Sequence, residues 1–132
     1  MDQIIIANNA IETLVAITEE DHETGLMYKP WPTPIMTFPY DKAEIRKFWM
    51  KNCYSPLDII FCRQGQIVAI HSGEPLSERF IGPDEPTDLV VEMPRGMAKA
   101  LAVQPGQRVL LKRSIYTIAA SYVDSLRKML NK

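Results

Sequence analysis

Histidine and cysteine are both scarce in this sequence, at two each in 132 residues. His22 and His71 stand apart, with no HExxH or paired-ligand spacing, so the common zinc sets are excluded and no metal is expected. Cys53 and Cys62 do not form a CxxC pair. They read as small buried hydrophobes, kept reduced in the cytoplasm. A basic excess is also missing: 15 Lys and Arg face 16 Asp and Glu, for a net charge of −1. That balance excludes the electrostatic footprint of a nucleic-acid partner. No apolar run approaches the roughly 18 residues of a membrane span, so no membrane partner is expected. The start, "MDQIIIANNA", has an acid at position 2 and only a short apolar run. It does not read as a secretory signal, and a cytoplasmic location is expected. P-loop and dinucleotide fingerprints are absent as well, since "GPDEP" and "QPGQ" read as turns, and no cofactor is expected.

What is present suits one domain, residues 1–132, because 46% of the chain is hydrophobic and can build a single core. The ten prolines are spread out, and "KPWPTP" (29–34) and "GPDEPTD" (82–88) read as ordered connections. Strands are expected at 11–18, 34–38, 47–52 and 88–93. Thr18 caps a short acidic helix that Gly25 ends, with His22 on its surface. A proline opens a second short helix after 94, and Pro105-Gly106 turns into the strand "RVLLK". From Ser114 to about 131, apolar residues recur at i, i+3, i+4 and i+7 over four turns, which predicts an amphipathic helix.

The strongest local signal is "LDIIFCRQGQIVAIH", 57–71. Two β-rich runs flank Gln64-Gly65, the mark of a hairpin with a two-residue loop. Counting outward from that turn without interruption sets Arg63 against Gln66, Phe61 against Val68, Ile59 against Ile70 and Asp58 against His71. Apolar residues fall on both faces, as in strands covered on both sides of a sandwich or barrel. The expected class is therefore mainly β (α+β), with short helices and an added C-terminal helix.

The pieces "GLM" (25–27), "PIMTF" (34–38), "FWMKN" (48–52), "PLDIIF" (56–61), "GQIVAIH" (65–71), "LVVEMPRGMAKAL" (89–101) and "VQPGQRV" (103–109) occur in one order. With that order the chain resembles the domain of unknown function 192 family, also called uncharacterised protein family 0127, over about residues 14–111. The resemblance implies a compact, mainly β domain of sandwich or barrel type and no agreed activity. Many members carry a secretory or lipoprotein-type leader, and often a cysteine pair after the VAIH strand. Neither pattern is seen here. The family pattern ends near the last Pro-Gly strand, so a core of about 11–112 is expected, with the helix at 114–131 as an addition.

Five residues form the candidate patch: Trp49, Lys51, Asn52, Asp58 and His71. Directly opposed residues lie about 5 Å apart at Cβ, so an Asp58–His71 pair would orient the imidazole as a base or raise its basicity. The alternative is a polar pair that pins strand ends. Trp49 and Lys51 share a strand face and offer a wall for a planar or sugar-like ligand, or else Trp49 is core and Lys51 reaches outward. Asn52 either joins that patch or bonds a turn. Adding Glu92 to Asp58 and His71 gives a metal set that is not favoured. Ser55 and Ser72 sit in no nucleophile elbow. Three readings follow, in descending order. The first is a non-enzymatic module for a small-molecule or protein partner. The second is an accessory protein acting through contacts, with self-association through 114–131. The third is a small hydrolase or lyase using Asp58 and His71.

Overall fold

The central strand pair, buried on both faces, organises the structure, a computed structural model that describes residues 1–131. Lys132, the end of the expected domain, lies outside them. A five-stranded sheet runs in the order β3 (Leu14–Val15), β4 (Met36–Ile45), β7 (Pro86–Pro94), β5 (Leu57–Arg63), β6 (Gln66–Gly73). Only β3 and β4 pair in parallel. A second sheet has the order β2 (Asn9–Glu12), β1 (Gln3–Ile6), β8 (Val109–Lys112). Three helices complete the chain: α1 (Glu19–Thr24), α2 (Met97–Ala100) and α3 (Ile115–Leu130). The result is mainly β and not a closed barrel.

The sheets pack through Ile4, Ile6, Ile60, Cys62, Val91 and Met93. The far face of the large sheet carries a second core built on Phe38, Met50, Leu57, Ile59, Phe61 and Val90. No third sheet covers it. The segment around α1 and the stretch 46–56 do so instead. Phe48 clamps this layer edge-to-face between Phe38 and Phe61, at 5.3 and 5.7 Å between centroids, contacts worth about 1 kcal/mol each beyond their buried area. Both cysteines are buried and free.

Several expected strands change in the structure. Ile4 and Ile6 are fully buried, so the core begins at β1 and reaches further toward the N-terminus than 11–112. The expected strand at 11–18 divides at buried Thr13. Its hydroxyl meets the Leu14 carbonyl at 2.8 Å and the Thr37 hydroxyl at 2.9 Å while the chain crosses from one sheet to the other. Residues 47–52 do not form a strand. Phe48 makes an isolated bridge with Ile81, the Met50 N–H donates to the Ser77 carbonyl, and Asn52 turns the chain at φ 59°. Their backbone partners lie in the 77–81 loop, not in a sheet.

The hairpin forms on Gln64-Gly65, both at positive φ as a two-residue I′-type turn requires. Its register shifts after one step. Cys62 pairs with Ile67 but Phe61 pairs with Ala69, so Val68 is the extra residue of a β-bulge. Every later partner moves by one, and with it the face. Asp58 now lies opposite Ser72, and His71 opposite Ile59. The expected Asp58–His71 pair is therefore not formed, because the two side chains occupy opposite faces of the sheet.

Asp58 has a different task. Its carboxylate accepts the N–H groups of Gly96 and Ala98, both at 3.0 Å. Gly96 caps α2 with no side chain of its own, so a strand residue caps that helix across the fold. Asp58→Ala should lower stability by about 2 kcal/mol, because two amides lose a charged acceptor. Exposed Ser72→Ala should change it by less than about 0.5 kcal/mol. Urea midpoints of the two variants check this, and an unchanged midpoint for Asp58→Ala would contradict the capping role.

Candidate functional site

Strand β7 alternates its side chains between the two cores. Val91 and Met93 face the small sheet; Val90 and Glu92 face the other layer. Glu92 sits between Met36 of β4 and Ile59 of β5. It is only 4% exposed. Burial pushes its pKa up to about 8, since a dry environment disfavours the charged form.

The carboxyl opens onto a cleft of about 170 Å³ whose walls include Phe38, Tyr40, Phe48, Trp49 and Cys53. Gly25 ends α1 at φ 48° and roofs the cleft. A Cβ there would lie 3.3 Å from the Phe38 ring and 3.7 Å from Glu92 Oε1. Any larger residue would meet both the strain of that φ and the ring. Burial raises the Cys53 thiol to about 11, and the nearby Glu92 adds to the shift. Tyr40 is raised to about 12, again mainly by burial, with Arg46 opposing and Glu92 adding. The Arg46 guanidinium lies 3.5 Å over the Tyr40 ring.

His22 is not on the surface as expected. It is half-buried, with its ring 4.9 Å from Tyr40 and 5.8 Å from Phe38. Burial, aided by the Lys128 and Arg46 cations, holds its pKa below the ordinary value. Its Nδ1 has no partner among the described residues. At the rim, the Lys47 ammonium is engaged by Asp84 at 2.7 Å and by the Gly82 carbonyl at 2.6 Å. Burial thus favours the uncharged forms of four groups in the cleft, a carboxylic acid, a phenol, a thiol and an imidazole, while Glu23 and Lys47 also line it.

Of the five candidate residues, Trp49 alone lines this cleft. It stacks on Phe80 at 5.3 Å, and Lys51 Nζ lies 5.1 Å from its ring centre, so these two share a face outside a strand. Asn52 supplies its carbonyl to the Tyr28 N–H at 2.8 Å and shapes the turn. His71 packs edge-on to Phe61 at 5.4 Å. Asp58 belongs to the opposite layer. Asp58, His71 and Glu92 consequently do not gather. Among the described residues no three His, Cys, Asp or Glu side chains are placed to hold a metal ion.

The family model described as "Uncharacterized ACR", the domain of unknown function 192, matches residues 3–111. The chain belongs to the domain of unknown function 192 family. The matched span of this family takes in the cleft and almost all of both sheets, and leaves α3 outside. A solved structure from Sinorhizobium meliloti 1021, described as a "putative transcription regulator", is 33% identical, with a TM-score of 0.74 over 83% of this chain and 91% of that one. A protein of unknown function from Novosphingobium aromaticivorans DSM 12444 is 26% identical, with a TM-score of 0.73 over 83% and 82% of the two chains. No curated protein matches.

Sequence reasoning placed Glu92 only beside a metal set and missed Tyr40 and Phe48. The available signal was the acid inside "LVVEM": a carboxylate in a strand buried on both faces needs a reason. The pH dependence follows from its protons. The unfolded carboxyl titrates near 4.5 and the folded one near 8. The fold therefore binds more protons between those values, and stability falls as pH rises through that window, by up to about 1.4 kcal/mol per pH unit. Glu92→Gln should remove this slope. Denaturation at about pH 5 and about pH 9 should show the variant gaining roughly 2–5 kcal/mol on the parent at the higher pH. Parallel pH profiles would rule out a protonated Glu92.

Proposed function

We propose that the chain is a non-enzymatic binding module for a small, uncharged, hydroxyl- or carbonyl-bearing molecule, held in the Glu92 cleft. The carboxyl of Glu92, on a residue only 4% exposed that lines that cleft, carries the reading. Its raised pKa favours the protonated form, which can donate a hydrogen bond to an acceptor atom bound there. The Tyr40 hydroxyl and the Cys53 thiol offer further hydrogen bonds. The rings of Phe38, Phe48 and Trp49 supply flat apolar contact, as small-molecule sites commonly do. A net charge of −1 without a basic stripe gives no support to carrying over the "putative transcription regulator" description of the Sinorhizobium chain.

NMR titration with two probe sets, small polyols and ketones against small primary amines, tests the reading. The uncharged set should shift the amides of Gly25, Cys53 and Glu92 and should bind less well above about pH 8, where the carboxyl loses its donor proton. Glu92→Gln, still a donor, should keep binding, whereas Glu92→Leu should weaken it at least about tenfold. Tighter binding of amines with rising pH would overturn the uncharged-ligand assignment. Shifts confined to other surfaces would overturn the site.

A further inference from the structure

The C-terminal helix is docked with its polar side inward. Ser114 caps it, and the Ser114 N–H and Thr117 hydroxyl donate to the Asp2 carboxylate at 2.7 and 2.6 Å. Thr117 is buried, and Ser121 and Asp124 are half-buried on the same side. Ser121 and Asp124 face a groove of about 440 Å³ shared with Ala16, Ile17, His22 and Tyr40. The apolar stripe points the other way: Ile115 is 76% exposed, Tyr122 66% and Met129 68%. An amphipathic helix normally buries that stripe. Monomers rarely leave a contiguous apolar patch beyond a few hundred Å².

We propose that this face is the contact surface for a second copy of the chain, forming a two-fold dimer with α3 antiparallel to its mate. Residues Ile115, Ala119, Tyr122, Leu126 and Met129 recur at alternating steps of four and three, the spacing of a coiled-coil seam. The seam is nearly symmetric about Tyr122, with Ile115 and Met129 seven residues to either side, Ala119 three before and Leu126 four after. Antiparallel pairing therefore sets Ile115 against Met129 and small Ala119 against large Leu126, as an isologous interface requires. Eight large apolar side chains of α3, from Ile115 to Leu130, are exposed, a broad face of the kind a standard interface, burying ~800 Å² per partner, would cover. Charge favours protein over lipid. Within α3, Asp124 and Lys128 pair at 3.3 Å, leaving Arg127 as the lone remaining charge, whereas helices that lie on membranes carry a polar face rich in Lys and Arg. No helix among the described residues is long and apolar enough to cross a membrane.

Sedimentation of the full chain between about 1 and 100 µM tests the proposal. The parent chain should run at twice the mass of one chain within that range, and Tyr122→Phe should do the same. Tyr122→Glu, which sets two carboxylates face to face on the two-fold axis, should weaken association at least ~30-fold. Circular dichroism verifies that it folds; Met129→Glu, at a second exposed seam position, serves if it does not. A parent chain that stays monomeric throughout overturns the proposal. So does a folded Tyr122→Glu that still dimerises. Flotation of the monomer with vesicles of mixed neutral and anionic phospholipid would assign the face to lipid instead.

Discussion

The structure depends on a strand pair, β5 and β7, that must be covered on both faces. Residues 57–62 are all buried, so neither side of β5 can meet water. The small sheet β2-β1-β8 seals one face with aliphatic side chains. For the other face there is, among the described residues, no second sheet, and irregular backbone does the covering: the α1 turn, Leu26 and Met27 after it, and the 46–56 stretch. Irregular cover must satisfy its own amides. It does so by borrowing partners outside the sheet, as Phe48 does from Ile81 and Tyr28 from Asn52. A layer built this way packs less completely than two apposed sheets, and the cleft lies within it.

Glu92 stands at the junction of these two demands. Its position in β7 is one where apolar side chains lie on either side along the strand, yet it faces the loosely covered layer. Aromatic clamping by Phe38, Phe48 and Phe61 holds that layer together around an acid that is dry enough to keep its proton. The polar residues most visible in the sequence serve the scaffold instead. Asp58 anchors α2, and Asn52 turns the backbone. The stacked Trp49, Phe80 and Lys51 side chains bring one wall of the cleft to the outer surface.

The C-terminal helix reverses the usual relation between amphipathicity and burial. Its polar side is held by Asp2 and half-buried groups, and its apolar side is left outward. An isolated helix of this length is marginal in water, so its anchoring to Asp2 and a partner for its stripe both bear on its stability. The family match stops at residue 111, and the sheets are complete without the helix.

Local chemistry made much of the fold legible. The Thr18 N-cap, the Gln64-Gly65 turn, the mainly β class, the buried cysteines and the helix from Ser114 were each encoded within a few neighbouring residues, and each is present. The error at the hairpin shows where such reasoning stops. The turn pairs Arg63 with Gln66, but one inserted residue, Val68, reassigns every face beyond it and separates Asp58 from His71. A bulge is set by how Ile70 and Ala69 pack into two different cores, which no window of adjacent residues contains. The strand expected at 47–52 failed for a similar reason, because its hydrogen-bond partners lie thirty residues away. By itself, the sequence determined the turns, caps and amphipathic periods, since these are governed by neighbours along the chain. Only the tertiary structure decided which way each face looks, because burial is a property of two surfaces meeting: it placed Glu92 against a cleft, Asp58 beneath a helix, and the apolar stripe of α3 outward.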